Sequence, residues 1–384
     1  MKIINKYSLD SKTIMVNGVI LAYFVTFALV NQLPFGLFFY LFYFALLLCA
    51  IAGMCSIKKE RLQNVIILFL FLFSGIINYL VVGNASISFL FYLVLFWGVG
   101  NALNSKYLSE QMMLIVIILN IAIILYKILT VGLYGRFFIS GTNNFVSVYL
   151  MYPTVVYYSI VAKNKSRIKM LPIIVIWVMT LLARGRGGII SVSVFLLMVY
   201  YLKYRSLHSR KRMIVNIVIF AVIVIITANL ESIISVISSS IVMEQFNERG
   251  GLESSRTRFW GEYLKKTMLS FQNVMFGTSV SEMFIGRKLG GNPHNSLIEV
   301  HMFNGMVGGV TIIGLLFKQF FNNVNRKNYL FICCALFALL RGFTDHVLWN
   351  SYGTPILFFL LLYDETTNYE RLKRTPQNVY KYSK

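Results

Sequence analysis

The sequence predicts an all-α, polytopic membrane protein of about twelve transmembrane helices with one large extracytoplasmic loop. Three observations predict it. Of the 384 residues 57% are hydrophobic and only 13% charged, and mean hydropathy is +0.69. Soluble domains sit near half apolar with about a quarter charged. Apolar runs of roughly 17 to 25 residues, the length that crosses a bilayer as helix, recur along the chain. The remaining charge collects in the connections between those runs.

In chain order the runs fall at 14–31, 35–55, 63–82, 85–101, 112–131, 145–162, 169–183, 188–203 and 213–230, then at 295–317, 328–343 and 347–363. The first follows three lysines and no small-residue cleavage site follows it, so it reads as a retained span rather than a signal peptide. This divides the chain into nine spans over 1–230, a long connection at 231–293, three spans over 294–363 and a basic tail at 364–384. Twelve spans put both termini on one side. That side carries Lys58-Lys59-Glu60-Arg61, Lys163-Asn164-Lys165-Ser166-Arg167, Arg210-Lys211-Arg212 and the tail, roughly two thirds of the 36 lysines and arginines. By the positive-inside rule it is the cytoplasm. The net charge of +22 is thereby a topology signal beside anionic lipid, not a nucleic-acid surface.

The opposite side is rich in arginine: Arg136, Arg184, Arg186, Arg249, Arg256, Arg258, Arg287 and Arg341. Topology needs only positive charge. Arginine's planar fork also grips phosphate oxygens in pairs, where lysine is a point charge. The enrichment suggests a phosphorylated ligand at the outer membrane surface. Arg249 and Arg287 read as solvated, and Arg341 is open between phosphate contact and pairing with Asp345 four residues on.

Other chemistries lack their residues. Cys49, Cys55, Cys333 and Cys334 lie in apolar runs without ligand spacing and read as small core residues. No GxxxxGK[ST] loop and no HExxH occurs, so nothing suggests ATP hydrolysis or zincin chemistry. No metal and no cofactor is expected.

The 231–293 connection is long enough to be functional. Within RTRFWGEYLKKTMLSF, the residues Phe259, Trp260, Tyr263, Leu264, Thr267, Met268 and Phe271 form one helical stripe. That predicts a single amphipathic helix ending near Gly277, lying in the membrane interface or packed on the bundle as a lid.

The tenth span opens with Asn292-Pro293-His294-Asn295. Asn292 at the N-cap and Pro293 at the first helical position would place His294 and Asn295 in the first turn. Free N–H groups there attract anions such as phosphate and favour an uncharged imidazole, suited to act as a base. A continuous helix puts His294, His301, Gly305 and Gly308 on one face. The glycines then serve close packing, and His301 is either an interior hydrogen-bonded residue or a support for His294. Asp345-His346 is a further acid–base pair to consider.

His294-Asn295 followed by Gly305-x-x-Gly308 resembles the signature of the bacterial O-antigen polymerase and ligase family, which includes Wzy-type polymerases and WaaL-type ligases. Other elements follow in the family's order across nearly the whole chain. They are the mid-chain Arg184-Gly185-Arg186-Gly187, the loop's Ser255-Arg256-Thr257-Arg258-Phe259-Trp260, the turn Phe276-Gly277-Thr278-Ser279 and the late Arg341-Gly342. One departure is Ala183 where relatives often carry serine before the mid-chain arginine. The resemblance implies a GT-C-like helical fold in the bacterial inner membrane and a glycosyltransferase acting on an undecaprenyl-pyrophosphate-linked glycan at the outer leaflet. It further implies an inverting, metal-independent reaction, with His294 as the base. Arg184, Arg186, Arg256, Arg258 and Arg341 would stabilise the pyrophosphate, and Asn295 would orient substrate. A chain-length regulator would be a partner. The expected product is a repeat-unit polymer for lipopolysaccharide or capsule. The alternatives are a ligase that passes the glycan to lipid A-core, and a lipid-linked oligosaccharide flippase. The flippase predicts inverted repeats and broken helices, neither of which the sequence shows.

Overall fold

The computed structural model describes residues 11–30, 32, 36–55, 62–132, 137, 138, 143, 145–229, 255–281, 283 and 293–364. Arg136, Arg249, Arg287, Asn292, the Lys58–Arg61 cluster and the 364–384 tail beyond Asp364 lie outside them. Among the described residues all regular structure is helical. Nine helices come first: α1 Ser11–Val30, α2 Gly36–Cys55, α3 Leu62–Val81, α4 Ile87–Leu103, α5 Glu110–Val131, α6 Phe145–Asn164, α7 Leu171–Leu182, α8 Arg186–Arg205 and α9 Ser209–Ala228. The loop contributes α10 Ser255–Thr267 and α11 Phe271–Phe276. The chain then continues as α12 Ser296–Asn325, α13 Tyr329–Thr344 and α14 Thr354–Leu361.

Seven of these helices, α1, α2, α3, α5, α6, α8 and α12, are long and apolar enough to cross a membrane, and α4, α7 and α13 are shorter apolar helices. Large apolar side chains face outward, among them Phe69, Leu80 and Leu129. A soluble monomer does not expose apolar surface on that scale, so the outer shell is built to meet lipid. This is a polytopic helical membrane protein.

Sequence decides which helix is central. Tyr149, Tyr152, Tyr157 and Tyr158 on α6 are all buried, and so is nearly every residue between Val146 and Val161. A helix that is apolar all round belongs in the middle of a bundle, and α6 is enclosed by neighbours that include α5, α8 and α13. Small residues set the tightest crossing. On α2, Gly53 faces the Gly98 carbonyl of α4 so closely that any side chain would overlap it, and Gly98 in turn rests on Ala50. Asparagines then lock helix to helix: Asn64 Nδ2 donates to Asn101 Oδ1 at 3.0 Å, and Asn104 Nδ2 donates to the Phe359 carbonyl at 2.9 Å.

Local structure departs from the sequence reading in several places. The stretch 347–363 was expected to be one span, but only Thr354–Leu361 is helical. Residues 345–353 run irregularly because Ser296 Oγ accepts the amides of Val347 and Leu348 at 3.0 Å each, replacing helical partners. Irregular backbone is tolerated where protein encloses it, and Val347, Leu348 and Trp349 are buried. The loop's single amphipathic helix is two, α10 and α11, divided where Ser270 caps α11. Cys55, expected in the core, is exposed. Lys163, which the sequence places in a cytoplasmic basic cluster, is buried with Nζ donating to the Asn104 carbonyl at 3.3 Å.

The largest departure is inside α12. Gly305 has φ 57° and ψ −158°, so the helix breaks there into two pieces. Only glycine adopts that backbone cheaply. A Cβ at Gly305 would collide with the backbone of Met275 and Phe276, because α11 is pressed into the break. The carbonyl of Met302, facing the break, accepts Asn78 Nδ2 at 2.8 Å and Asn84 Nδ2 at 2.9 Å. The expectation of an unbroken helix with its glycines used only for packing is therefore corrected. So is the common face for His294, His301, Gly305 and Gly308, which required helical phase from His294 through Gly305.

Candidate functional site

Helices alternate in direction, so α12 and α14 begin, and α13 ends, at one end of the bundle, where α8 and α6 also begin. There α12 starts three residues later than the sequence suggested, at Ser296 rather than Pro293. Asn295 is the N-cap, its Oδ1 accepting the amides of Leu297 at 2.9 Å and Ile298 at 3.2 Å. Pro293 and His294 precede the helix. Asn295, expected to orient substrate, is thus buried and occupied as a cap.

His294 stands just outside the first turn in left-handed backbone, φ 48°. Two further non-glycine residues at this end share that conformation, Arg184 at φ 58° and Asn350 at φ 44°. Such strain persists only where surroundings enforce it, and it collects at functional sites. The enforcement at His294 is visible. Trp260 Nε1 on α10 donates to the Pro293 carbonyl at 2.9 Å, and the same indole packs edge-on against Phe343 of α13 with ring centroids 5.6 Å apart. The loop helix therefore fixes the residue before His294.

On the other side, His294 Nδ1 lies 3.1 Å from Asp345 Oδ1. A carboxylate only accepts, so Nδ1 donates the shared proton and Asp345 fixes the orientation of the ring. Asp345 is itself held. Its Oδ2 receives Arg341 Nη2 at 3.1 Å, and its Oδ1 also accepts the His346 amide at 2.9 Å. Arg341 is 1% exposed. A cation so buried demands partners, and it has Asp345, Ser147 Oγ at 3.2 Å and Thr344 Oγ1 at 3.3 Å. Of the two sequence options for Arg341, pairing with Asp345 is the one seen, and the pair stands behind His294.

A second imidazole–carboxylate pair lies beside the first. His346 Nδ1 is 2.5 Å from Glu299 Oε2, with Glu299 2% exposed. Burial opposes protonation of His346, but the Glu299 carboxylate, with Asp345 adding, outweighs it and raises the imidazole above its usual pKa. Glu299 escaped the sequence reading although a signal existed: it is the lone acid in the apolar run that opens α12, and intramembrane acids are functional candidates by default.

The mid-chain arginines approach the same cluster. Gly187, in the first turn of α8, fits so tightly that a Cβ there would lie 3.2 Å from Thr344 Oγ1 and 3.8 Å from Arg341 Nη1. Gly188 is pressed against Ser147. These glycines let the start of α8 reach the cluster; Arg186 is its first residue, Arg184 stands two residues before it, and both arginines are partly exposed. Arg256 and Arg258 lie in the opening turns of α10; their side chains lie outside the described residues.

His301 proves to be structural. Its Nε2 donates to the Val274 carbonyl at 2.9 Å, which leaves Nδ1 to accept the Tyr263 hydroxyl at 2.6 Å. It joins α10, α11 and α12, and a small apolar cluster of Phe259, Tyr263, Met283 and Met302 surrounds it. The predicted stripe of the loop is thereby divided. Phe259, Tyr263 and Thr267 are buried, whereas Leu264, Met268 and Phe271 are exposed, so α10 packs on the bundle along one edge and leaves an apolar edge outward. Asn78 and Asn84, which hold the turn at Gly277 against α12, were likewise missed. They look like ordinary polar residues until the break they cap is known.

Among the described residues no three histidine, cysteine, aspartate or glutamate side chains are placed to hold one metal ion. Chemically the arrangement offers two oriented imidazoles backed by carboxylates, beside an arginine-bearing helix start. Compared with protein-family models and with curated proteins, the chain matches none, so function rests on this geometry.

Proposed function

We propose that the protein is a membrane glycosyltransferase of the O-antigen polymerase type, joining undecaprenyl-pyrophosphate-linked repeat units at the outer leaflet of a bacterial inner membrane. The observation that carries this reading is the convergence of His294, Asp345 and Arg341 with the Arg184–Gly188 start of α8. These residues come from three distant parts of the chain and meet at one end of the bundle.

The chemistry follows from the parts. An attacking sugar hydroxyl needs a proton acceptor within hydrogen-bond reach. In this reading the His294 imidazole takes that proton at Nε2, while Asp345 orients the ring through Nδ1. Departure of a pyrophosphate concentrates negative charge, which fixed cations stabilise without reorganisation. Arg184 and Arg186 are the partly exposed cations beside the cluster, with Arg256 and Arg258 on the overlying loop helix. In this reading Arg341, being buried against Asp345, acts by holding that carboxylate. Twelve spans, cytoplasmic termini, a GT-C-like fold and a chain-length regulator as partner belong to the same reading.

The ligase alternative uses the same cluster and differs only in acceptor. The flippase alternative gains one observation, the broken helix at Gly305. In transporters, however, such breaks line a substrate cavity. Here the break is filled by α11 and its Met302 carbonyl is taken by two asparagines, which makes it a structural joint.

The test is to reconstitute the purified chain with a single lipid-linked repeat unit and separate the products on a gel, beside His294→Ala. Polymerase activity gives a ladder with wild type and at least a 100-fold weaker one with the variant, in the range of losing a general base. Product only after lipid A-core is added would make it a ligase. Movement of glycolipid between leaflets without new linkages would make it a flippase.

A further inference from the structure

Beside the His346–Glu299 pair lies a cavity of about 370 Å³ between α1, α2, α4, α6 and the 345–353 segment. Its walls are aromatic, with Phe27, Tyr43, Tyr92, Tyr149 and Tyr352 prominent, and His346, Asn350 and Ser351 supply polar atoms. His294 is not among its lining residues. The volume would hold on the order of ten waters, the scale of a short saccharide.

The lining distinguishes a sugar from a lipid chain. A second groove, about 480 Å³ between α12 and α13, is walled by leucine, isoleucine, alanine and phenylalanine with Gln319 as its one polar side chain. That is the surface an isoprenoid chain would favour. The cavity at His346 differs in kind: aromatic faces carry negative charge that attracts the weakly positive C–H faces of a sugar ring, and tyrosine hydroxyls, an amide, a serine and an imidazole can meet its hydroxyl groups. His346 is oriented for such a contact. Glu299 occupies Nδ1, so Nε2 is the nitrogen left to a ligand. Its backbone is fixed too, the amide donating to Asp345 Oδ1, the same oxygen that holds His294. A sugar in the cavity would therefore present its hydroxyl groups within the cluster that contains the proposed base.

We infer that this aromatic cavity is the binding site for the acceptor saccharide, with Tyr352 stacking on the ring and His346 hydrogen-bonded to a sugar hydroxyl. Glu299 is the positioning residue that fixes the His346 tautomer. The inference rests on the transferase reading for the word acceptor, but the site itself is a saccharide site and can be tested without turnover.

The experiment embeds the full chain in lipid nanodiscs and uses the oligosaccharide released by mild acid from the lipid-linked pool of the same cells. Saturation-transfer NMR reads binding, and the ladder assay reads transfer. The expected result is transfer of saturation to sugar-ring protons in wild type and in Tyr352→Phe. The signal should fall about tenfold in Tyr352→Ala and His346→Asn, each measured below its own melting transition, and the acceptor KM should rise by a similar factor. His294→Ala should keep the binding signal while losing transfer. Transfer with no saturation signal in wild type, or a signal indifferent to Tyr352 and His346, overturns the saccharide site and leaves the transferase intact. A saturation signal that depends on both residues, in a chain that forms no linkage with any acceptor, keeps the saccharide site and overturns the transferase.

Discussion

At the scale of single residues, the cluster is held by carboxylates that each orient an imidazole. Asp345 holds His294 and is braced by Arg341, while Glu299 holds His346. The second pair makes a pH prediction whose sign can be worked out. The folded-state pKa of His346 is raised above its usual 6.5 by the Glu299 carboxylate, with Asp345 adding and burial opposing. A raised imidazole pKa means that the folded protein binds the proton more tightly than the unfolded chain. The resulting stabilisation is fully present below about pH 6.5 and is lost as pH rises through the folded-state value. The groups facing the ring are Glu299 from α12, Asp345 beside it and the uncharged tyrosines of the cavity. Thermal melts of the detergent-solubilised protein between pH 5.5 and 8.5 should show wild type losing stability relative to His346→Gln as pH rises. A difference between the two that is flat with pH would contradict the assignment.

At the scale of elements, what the sequence revealed and what it hid have different physical causes. Apolar runs lie where helices lie because hydropathy acts locally, residue by residue. The His294-Asn295 stretch stood out because polar residues opening an apolar run are locally conspicuous. The break in α12 was hidden because it is a tertiary event. Gly305 takes its left-handed backbone only when α11 presses in and Asn78 and Asn84 accept the task of capping the Met302 carbonyl. None of those partners is near in sequence. The irregular 345–353 segment was hidden for the same reason, since Ser296, which replaces its helical hydrogen bonds, lies about fifty residues upstream. Two substitutions on one helix separate these causes. Gly305→Ala forces a Cβ into the left-handed region and into the Met275–Phe276 backbone, and should cost about 1–3 kcal/mol for the backbone alone. Gly309→Ala meets open space in regular helix and should be neutral or stabilise by about 0.5–1 kcal/mol. Melting temperatures of the two variants against wild type check this. Equal effects would mean that the break is not enforced.

At the scale of the whole molecule, the cluster can work as proposed only if it faces the outside of the cell, and helix geometry alone does not say which end that is. The proposal takes the end bearing Arg210-Lys211-Arg212 as the cytoplasmic one, following the positive-inside rule. Successive helices alternate in direction, so Cys55 at the last residue of α2 belongs to that end, whereas the start of α12 belongs to the opposite one. The cysteines provide the measurement. Cys49, Cys333 and Cys334 are buried and Cys55 is exposed, so a membrane-impermeant maleimide has one native target of consequence. A second target can be placed on α11's side of the bundle with Ser270→Cys in a Cys55→Ser background, because Ser270 is exposed. Cys55 should label in inside-out vesicles and stay unlabelled in right-side-out ones, and the cysteine at 270 should do the reverse. Labelling of both from the same side would break the alternation on which the common site depends. Opposite labelling with the two sides exchanged would keep the fold and put the cluster in the cytoplasm, where a glycan carried on the outer leaflet cannot reach it.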